Sequence, residues 1–253
     1  MTMQGHSNFG RFADATLSSH DQVARALGGE ILSGVYPPGS KLPSEAEMLS
    51  RFGVSRTVLR EAFKTLTAKG LIVSKTRVGT TVLDSAHWNF FDADILAWKV
   101  TQGFDIAFIR DLAAIRVAIE PAAARSAAEQ ASAKDIAEMR RCVERMAAAT
   151  SNASEFAEAD LAFHKAVGQA SGNVLMRSLA AVIETALLAS FRMSSPVRET
   201  EVHDESVAAH SRIVDAIEAG KGDEAAEAMQ FVIGHGVARI ERAGASSKRR
   251  PSR

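Results

Sequence analysis

The sequence predicts a mainly α-helical protein in two parts, a small N-terminal α+β domain and a C-terminal all-α bundle of about six helices. Three observations predict this class. Three helical stretches with capping signals precede residue 70, two short β-branched stretches follow them, and the apolar spacing from residue 105 to residue 243 is helical throughout. With 253 residues, of which 46% are hydrophobic and 24% charged, the chain is long enough for two domains and is unlike a disordered or collagen-like protein.

The formal net charge of zero hides an asymmetry along the chain. Residues 1–81 carry 10 lysines and arginines against 6 acidic residues, whereas residues 82–243 carry 16 against 24. The last ten residues add four basic side chains. Such a distribution is typical of a basic module for a polyanion joined to an acidic module with another task, although charge alone does not distinguish it from ordinary fluctuation.

The N-terminal domain is predicted to contain three helices, after a polar and aperiodic arm over residues 1–18. Apolar residues at helical spacing give a first helix that ends at Gly34. Ser44, with Glu47 three residues later, is a capping-box signature for the second helix. Ser55 can cap a third helix after a short turn that contains glycine. This is the spacing of a helix-turn-helix.

The segment after the third helix changes to a strand pattern. Two β-branched stretches, residues 71–74 and 80–83, bracket a basic tip that contains Gly79. Three helices followed by a β-hairpin make a winged helix-turn-helix, which we assign to residues 19–83. The alternative is a small α+β domain whose arginines are merely solvated, and the basic residues on both the third helix and the hairpin tip favour the winged form.

The basic residues of this domain predict how it binds DNA. Arg56 and Arg60 share one face of the third helix, and each can offer its forked donors to guanine O6 and N7 in the major groove. Thr57 suits a phosphate or a thymine methyl group, and most of the affinity is expected from phosphate contacts. The predicted DNA-binding residues are Lys41, Ser44, Ser55, Arg56, Thr57, Arg60, Lys75, Arg77 and Gly79.

The rest of the chain is predicted to be helical. Residues 84–104 are rich in aromatic and aliphatic side chains and predict a connector helix that packs. Residues 105–243 predict the helical bundle, in which Pro121 either kinks a helix or marks a helix start. Residues 244–253 form a basic tail.

The bundle carries a candidate metal site. Asp160 and His164 are four residues apart and project from one face of a helix, and His210 and His235 follow on later helices. A carboxylate and imidazoles gathered inside a bundle suit a divalent ion, zinc first, with manganese or nickel as alternatives. For Asp160 and His164 alone, a hydrogen bond on the helix surface is the simpler interpretation. His235 is a candidate fourth ligand.

Three polar residues are candidates for binding a small-molecule effector: Arg116, Arg192 and Asn173. Arg116 interrupts an apolar stretch and must find an anion, which is either Glu120 one turn later or the carboxylate of a ligand. Arg192 has the same two interpretations. Asn173 either contacts the ligand or caps a helix that begins at Val174.

Composition excludes several other classes of protein. The single cysteine rules out an intrachain disulfide and a zinc knuckle with several cysteines. The apolar runs are far shorter than the roughly 20 residues that cross a bilayer, and the first 20 residues lack a signal-peptide pattern. We therefore expect a cytoplasmic location.

Two segments of the DNA-binding part have a recognisable sequence. Residues 34–45 read GVYPPGSKLPSE and residues 54–61 read VSRTVLRE, and both resemble the DNA-binding domain of the GntR family of bacterial transcription regulators. Residues 88–98, WNFFDADILAW, are similar to the connector of galactonate-operon repressors. The resemblance implies a homodimer that reads a palindromic operator and represses sugar-acid genes.

The helical part resembles the effector domain of the FadR subfamily, known as the FCD domain. The resemblance rests on Arg116 with Glu120, on Asp160 with His164, and on His210. It implies a metal-containing or polar pocket that binds a small organic acid.

Two positions depart from the family pattern. Ala46 stands where many members carry an arginine that contacts DNA. Val232 stands where metal-binding members place their last histidine, and His235 comes one turn later. The resemblance therefore leaves three arrangements open: His235 reaches the site, the metal has three protein ligands, or the pocket binds its effector without metal.

Two other functions also fit part of this pattern. A zinc ion with an open coordination position can activate water, which would make the chain an enzyme, but no obvious general base accompanies the ligands in sequence. A metal-responsive regulator, for which the ion itself is the signal, needs the same ligands. The winged helix-turn-helix favours a ligand-responsive regulator over an enzyme.

Overall fold

The computed structural model describes residues 17–75, 78–102, 106–179, 182–187 and 195–248. These residues form two compact units. The first contains residues 17–102, and the second contains the described residues from 106 onward. The predicted arm over residues 1–18 lies outside the described residues except for Leu17 and Ser18, and residues 249–253 of the predicted basic tail also lie outside them.

The first unit contains the three predicted helices, α1 (Ser19–Leu32), α2 (Glu45–Phe52) and α3 (Arg56–Ala68). Ser44 caps α2 with the predicted capping box, in which the Ser44 and Glu47 side chains each bond the other's backbone N–H. Gly53 ends α2 in the left-handed conformation, with φ 62°, and Ser55 caps α3. The helix-turn-helix spacing predicted from sequence is therefore confirmed.

The predicted hairpin is formed by β1 (Ile72–Lys75) and β2 (Gly79–Val82). The strands are antiparallel, with Ile72 opposite Val82 and Lys75 opposite Gly79. Lys41 forms an isolated antiparallel bridge with Thr81, so the segment before α2 is held against the wing. The winged helix-turn-helix is thus present as predicted, although Thr76 and Arg77 at its tip lie outside the described residues.

The connector packs into the core of the first unit. It consists of a 3₁₀ turn (Ser85–His87) and α4 (Ala93–Thr101). Trp98 on α4 is 7% exposed and lies so close to Gly28 on α1 that a Cβ there would be 2.4 Å from its ring. The buried Lys69 ammonium donates to Asp92 and Asp94 at 2.6 and 2.7 Å. The connector is therefore fixed to the first unit by both apolar packing and ion pairs.

The second unit is built from helices over its described length. Their bounds are α5 (Ile106–Gln130), α6 (Ala133–Ala148), α7 (Ala153–Ala170), α8 (Val174–Ser178), α9 (182–187), α10 (Thr200–Glu218) and α11 (Gly222–Lys248). A 3₁₀ turn (Pro196–Arg198) precedes α10. The α5–α11, α6–α7 and α10–α11 pairs make the most extensive contacts, and many buried positions are alanine, which lets the helix backbones approach closely.

Two details differ from the sequence expectations. Of the two alternatives for Pro121, a kink or a helix start, the helix start is wrong, because α5 continues through this residue. Helix α11 extends through residues 244–248, which were predicted to belong to the basic tail. Among the described residues, none of the helices is both long enough and apolar enough to span a membrane.

Candidate functional site

The first candidate site is the exposed face of α3. Arg56, Thr57 and Arg60 are all exposed, and Leu59 between them is buried, so the helix turns its polar side outward. The Arg56 side chain is 80% exposed and lies 3.6 Å from Glu45. An exposed ion pair of this kind is weak, so Arg56 can exchange it for a DNA contact.

The other predicted DNA contacts have varied surroundings. Lys41, Lys75 and Gly79 are exposed on the wing, and Gly79 has φ 101°, which an L-amino acid rarely adopts. Ser44 and Ser55 are exposed helix caps whose hydroxyls accept backbone N–H groups of α2 and α3. Arg77 lies outside the described residues. These residues all belong to the first unit and lie on its second and third helices, on the segment before α2 and on the hairpin.

The second candidate site is a cluster of buried charged and imidazole side chains inside the helical unit. Helix α5 supplies Arg116 and Glu120, α7 supplies Asp160 and His164, and α10 supplies His210. Each pair on one helix is four residues apart, so both side chains point to the same side. All five residues are at most 6% exposed. Buried charges are costly unless they are paired, and these residues pair with one another.

Glu120 connects α5 to α7. It accepts the Arg116 Nε–H at 2.5 Å, and its other oxygen lies 2.5 Å from His164 Nδ1. An Nδ1–H of His164 that donates to Glu120 leaves Nε2 with a lone pair, and Nε2 lies 3.5 Å from the Asp160 carboxylate. Glu120 therefore fixes the orientation of His164, and of the two anions expected for Arg116 the structure shows a contact with Glu120.

His210 faces the same carboxylate from α10. Its Nδ1 lies 2.7 Å from the Ser206 carbonyl, to which it donates, so Nε2 points to Asp160 Oδ1 at 2.8 Å. Both Oδ1 and Nε2 are enclosed, and neither has a hydrogen-bond partner among the described residues. Two lone pairs this close repel each other, and a divalent cation bound to both atoms would remove the repulsion.

The pKa shifts keep both carboxylates ionised. Burial alone would raise the pKa of Asp160, but His210 and His164 lower it below its ordinary value. Burial opposes ionisation of Glu120 as well, yet Arg116 and His164 lower its pKa to about 2. Burial would lower the pKa of His164, and Glu120 and Asp160 instead raise it. The cluster is thus a set of mutually stabilised charges.

The cluster fits a divalent metal ion. Asp160, His164 and His210 can each offer one ligand atom, and the three atoms lie within 4.8 Å of one another. One carboxylate and two imidazoles with orphaned Oδ1 and Nε2 atoms are a donor set that zinc accepts. His235 lies outside this group, is exposed, and stacks on Phe231 with ring centroids 4.1 Å apart.

A cavity of about 140 Å³ opens on the cluster, close to the roughly 150 Å³ of a cavity that holds a benzene-sized molecule. Its wall is formed by α5, α7, α9, α10 and α11. Val232, where metal-binding members place their last histidine, lies on this wall, and so does His235. Arg239 on α11 also lines it. The cavity is large enough for a small organic molecule and reaches the candidate metal ligands.

The remaining effector candidates have different outcomes. Asn173 caps α8, because its Oδ1 accepts the Leu175 and Met176 N–H groups at 2.9 and 3.2 Å, and it is not on the cavity wall. Arg192 lies outside the described residues. Arg239 was missed, although it interrupts an apolar stretch as Arg116 does, and the same rule applied to residues 232–240 would have found it.

Comparison with known proteins assigns both units to families. Residues 19–82 match the model described as "Bacterial regulatory proteins, gntR family", and residues 111–234 match the FCD domain. The chain is 34% identical over 226 residues to the galactonate operon transcriptional repressor of Escherichia coli (strain K12), which covers 89% of this chain and 98% of that protein. It is 27% identical over 220 residues to the Uxu operon regulator of Haemophilus influenzae, covering 83% of this chain and 77% of that one.

A solved structure supports the fold. The structure of Lar, described as controlling the Listeria monocytogenes agr system, superposes with a TM-score of 0.58 at 18% identity, and covers 90% of this chain and 99% of that one. The family matches are to regulatory proteins, so the chain is a regulator and not an enzyme. This chain belongs to the GntR family of bacterial transcription regulators and carries an FCD effector domain.

Proposed function

We propose that this regulator represses genes for sugar-acid catabolism and that a small organic acid releases it from a palindromic operator. The observation that carries the proposal is the pairing of an exposed basic recognition helix with a buried cavity that ends on Asp160, His164 and His210. The names of the galactonate and Uxu operon relatives support the sugar-acid class. A hexonate such as galactonate is the first effector to test.

Asp160, His164 and His210 would hold a divalent ion, most readily zinc. When bound, the ion supplies a positive charge that attracts carboxylate and hydroxyl oxygens. Glu120 fixes the His164 ring by accepting from Nδ1, and the Ser206 carbonyl does the same for His210. Elemental analysis of protein purified without chelator should give close to one metal per chain, and His164→Ala should lose it. Wild type that remains metal-free after zinc supplementation would indicate a polar pocket without metal.

We further propose that the protein is a homodimer assembled mainly through the helical unit. One winged helix reads one half-site, so a palindromic operator requires a two-fold axis. Analytical ultracentrifugation at micromolar concentration should give a dimer, and the DNA complex should contain two chains. A monomer that binds the operator alone would contradict the assembly.

Release from DNA requires that the effector distinguish two states of the protein. A ligand that binds the DNA-bound and free states equally shifts nothing, however tightly it binds. A coupling free energy of roughly 1 to 3 kcal/mol changes operator affinity about 5- to 150-fold, and operator DNA then weakens effector binding by the same factor. Titration calorimetry of galactonate with free and operator-bound protein measures this factor. Equal affinities would eliminate galactonate as the inducer.

A metal-responsive regulator is the second candidate, because the three ligand residues alone form a site for an ion. It predicts that zinc changes operator affinity without any organic ligand. The effector model predicts that zinc alone leaves the affinity unchanged and that the acid lowers it. Operator binding measured with chelator, with zinc, and with zinc plus galactonate separates the two.

A further inference from the structure

Helix α11 places an arginine on the cavity wall beside the cluster. Val232, Gly236 and Arg239 follow one another at helical spacing, and all three line the cavity. A Cβ added at Gly236 would meet nothing within 4 Å, so the wall is open beside this glycine. Arg239 is therefore on the same face as the position that faces the candidate metal ligands.

The two arginines on this wall differ in their partners. Arg116 donates to Glu120 and also contacts His164 Nε2 at 3.2 Å, so its guanidinium already has partners inside the cluster. The Arg239 Nε atom is enclosed and has no hydrogen-bond partner among the described residues. None of the ion pairs formed within the described ranges includes Arg239. Arg239 is thus a half-buried cation with an enclosed Nε, and the described residues give it no ion pair of the kind that Arg116 forms with Glu120.

The surroundings of Arg239 disfavour its positive charge, so a bound anion would stabilise it. Burial lowers the pKa of its guanidinium from the ordinary value, and the neighbouring Arg242 acts in the same direction, while Asp160 acts against them. Asp160 already faces two imidazoles, so it does not neutralise Arg239 as Glu120 neutralises Arg116. Planar guanidinium groups bind carboxylates with two parallel hydrogen bonds, and such bonds strengthen out of water.

We infer that Arg239 binds the carboxylate of the effector, whereas Arg116 is a positioning residue for Glu120 and His164. This inference rests on the proposed function, in which an organic acid enters this cavity. It places the acid group on α11 and leaves the neutral hydroxyl groups to face Asp160 and the two histidines. Selectivity for an acid over the corresponding neutral polyol then depends on Arg239.

The test compares three ligands, galactonate, lactate and the uncharged galactitol, by thermal shift and calorimetry on the full chain. Arg239→Gln removes the charge. Arg239→Lys keeps the charge but cannot form two parallel hydrogen bonds to a carboxylate. Arg212→Gln is the control. Arg212 is an exposed arginine over the Phe231 ring and is not on the cavity wall. A ligand that binds only the folded state raises the melting temperature by mass action.

Arg239→Gln should weaken acid binding by roughly 10- to 100-fold, the usual size for a charge-assisted hydrogen bond, and should abolish the preference for galactonate over galactitol. Arg239→Lys should recover part of the loss, and Arg212→Gln should bind as wild type does. The unliganded Arg239→Gln protein should melt no lower than wild type, because an unpaired cation has been removed. A lower melting temperature would assign Arg239 a structural role and overturn the inference.

The outcomes separate the inference from the proposed function. Equal acid binding by wild type and Arg239→Gln overturns the inference alone. Stabilisation of wild type by lactate but not galactonate, lost in Arg239→Gln, supports the inference and overturns the sugar-acid class. Stabilisation of wild type by neither acid overturns both.

Discussion

The two units use charged residues in opposite ways. On α3 of the DNA-binding unit, Arg56 and Arg60 are exposed and keep their charges in water. In the helical unit, Arg116, Glu120 and Asp160 are at most 6% exposed. An exposed charge loses little when its neighbour is removed, whereas a buried charge without its partner is strongly destabilising. We therefore expect that charged residues of α3 can be replaced with little loss of stability. Replacing a charged residue of the buried cluster should instead change both ligand binding and stability.

The largest expected effect is on the stability of the helical unit. Glu120→Ala leaves Arg116 buried without its carboxylate and frees the His164 ring. We expect a loss of about 3 to 5 kcal/mol in the free energy of unfolding, measured by urea titration. The control is Glu218→Ala, whose carboxylate pairs with Arg140 at the surface and should cost about 1 kcal/mol or less. Equal losses of unfolding free energy in the two variants would show that the buried ion pair stabilises the protein no more than the surface ion pair does.

Acid should act on the same buried charges. The pKa of Glu120 is lowered to about 2 in the folded protein, against an ordinary value of 4.5. Its stabilising contribution is therefore complete above pH 4.5 and is lost as the pH falls from 4.5 toward 2. With about 1.4 kcal/mol for each pKa unit, the loss is on the order of 3 kcal/mol. Urea titrations of metal-free protein between pH 6 and pH 3 should show about 2 kcal/mol of this loss, because the range ends before the folded-state pKa is reached. Glu120→Gln should flatten the dependence.

Removing the recognition arginines should have the opposite signature. Arg56→Ala and Arg60→Ala are each expected to weaken operator binding by about 1 to 3 kcal/mol and to relax base preference, with unfolding free energies unchanged. Lys75→Ala should weaken all DNA sequences alike, because it is expected to contact the backbone. The measurement is fluorescence anisotropy with duplexes that wild type has selected from random sequence. Wild-type affinity in both folded arginine variants would mean that α3 is not the recognition helix.

The sequence predicted the first unit well because local signals decide its structure. Ser44 with Glu47, Gly53 and the β-branched stretches each specify a local conformation, and all of them were found as predicted. Alanine-rich amphipathic helices likewise predicted the bundle. What the pattern could not give was the position of α11 relative to α7 and α10, because that depends on packing between residues far apart in sequence.

The cluster was predicted only in part for the same reason. The Asp160 and His164 pair and the Arg116 and Glu120 pair are visible as four-residue spacings. The contact between Glu120 and His164 joins α5 to α7, and no sequence spacing predicts a contact between two different helices. His235 shows the same limit: it comes one turn after the expected position in sequence, and in the structure it is exposed beside Phe231 and outside the group of three ligand residues.

The smallest effect compares one motif in both units. Ser44 caps α2 and Ser132 caps α6, each with a capping box, and the two backbone N–H groups lie 2.7 and 2.9 Å from Glu47 and Asp135. Replacing either serine with alanine should cost about 1 kcal/mol in unfolding free energy, since each loses the same cap. Only Ser44→Ala should also weaken operator binding, because only Ser44 is expected to contact a DNA phosphate. If both variants bind DNA as wild type does, Ser44 is a cap and nothing more. A weaker operator complex for Ser132→Ala would instead show that loosening a helix end in the effector unit reaches the DNA-binding unit.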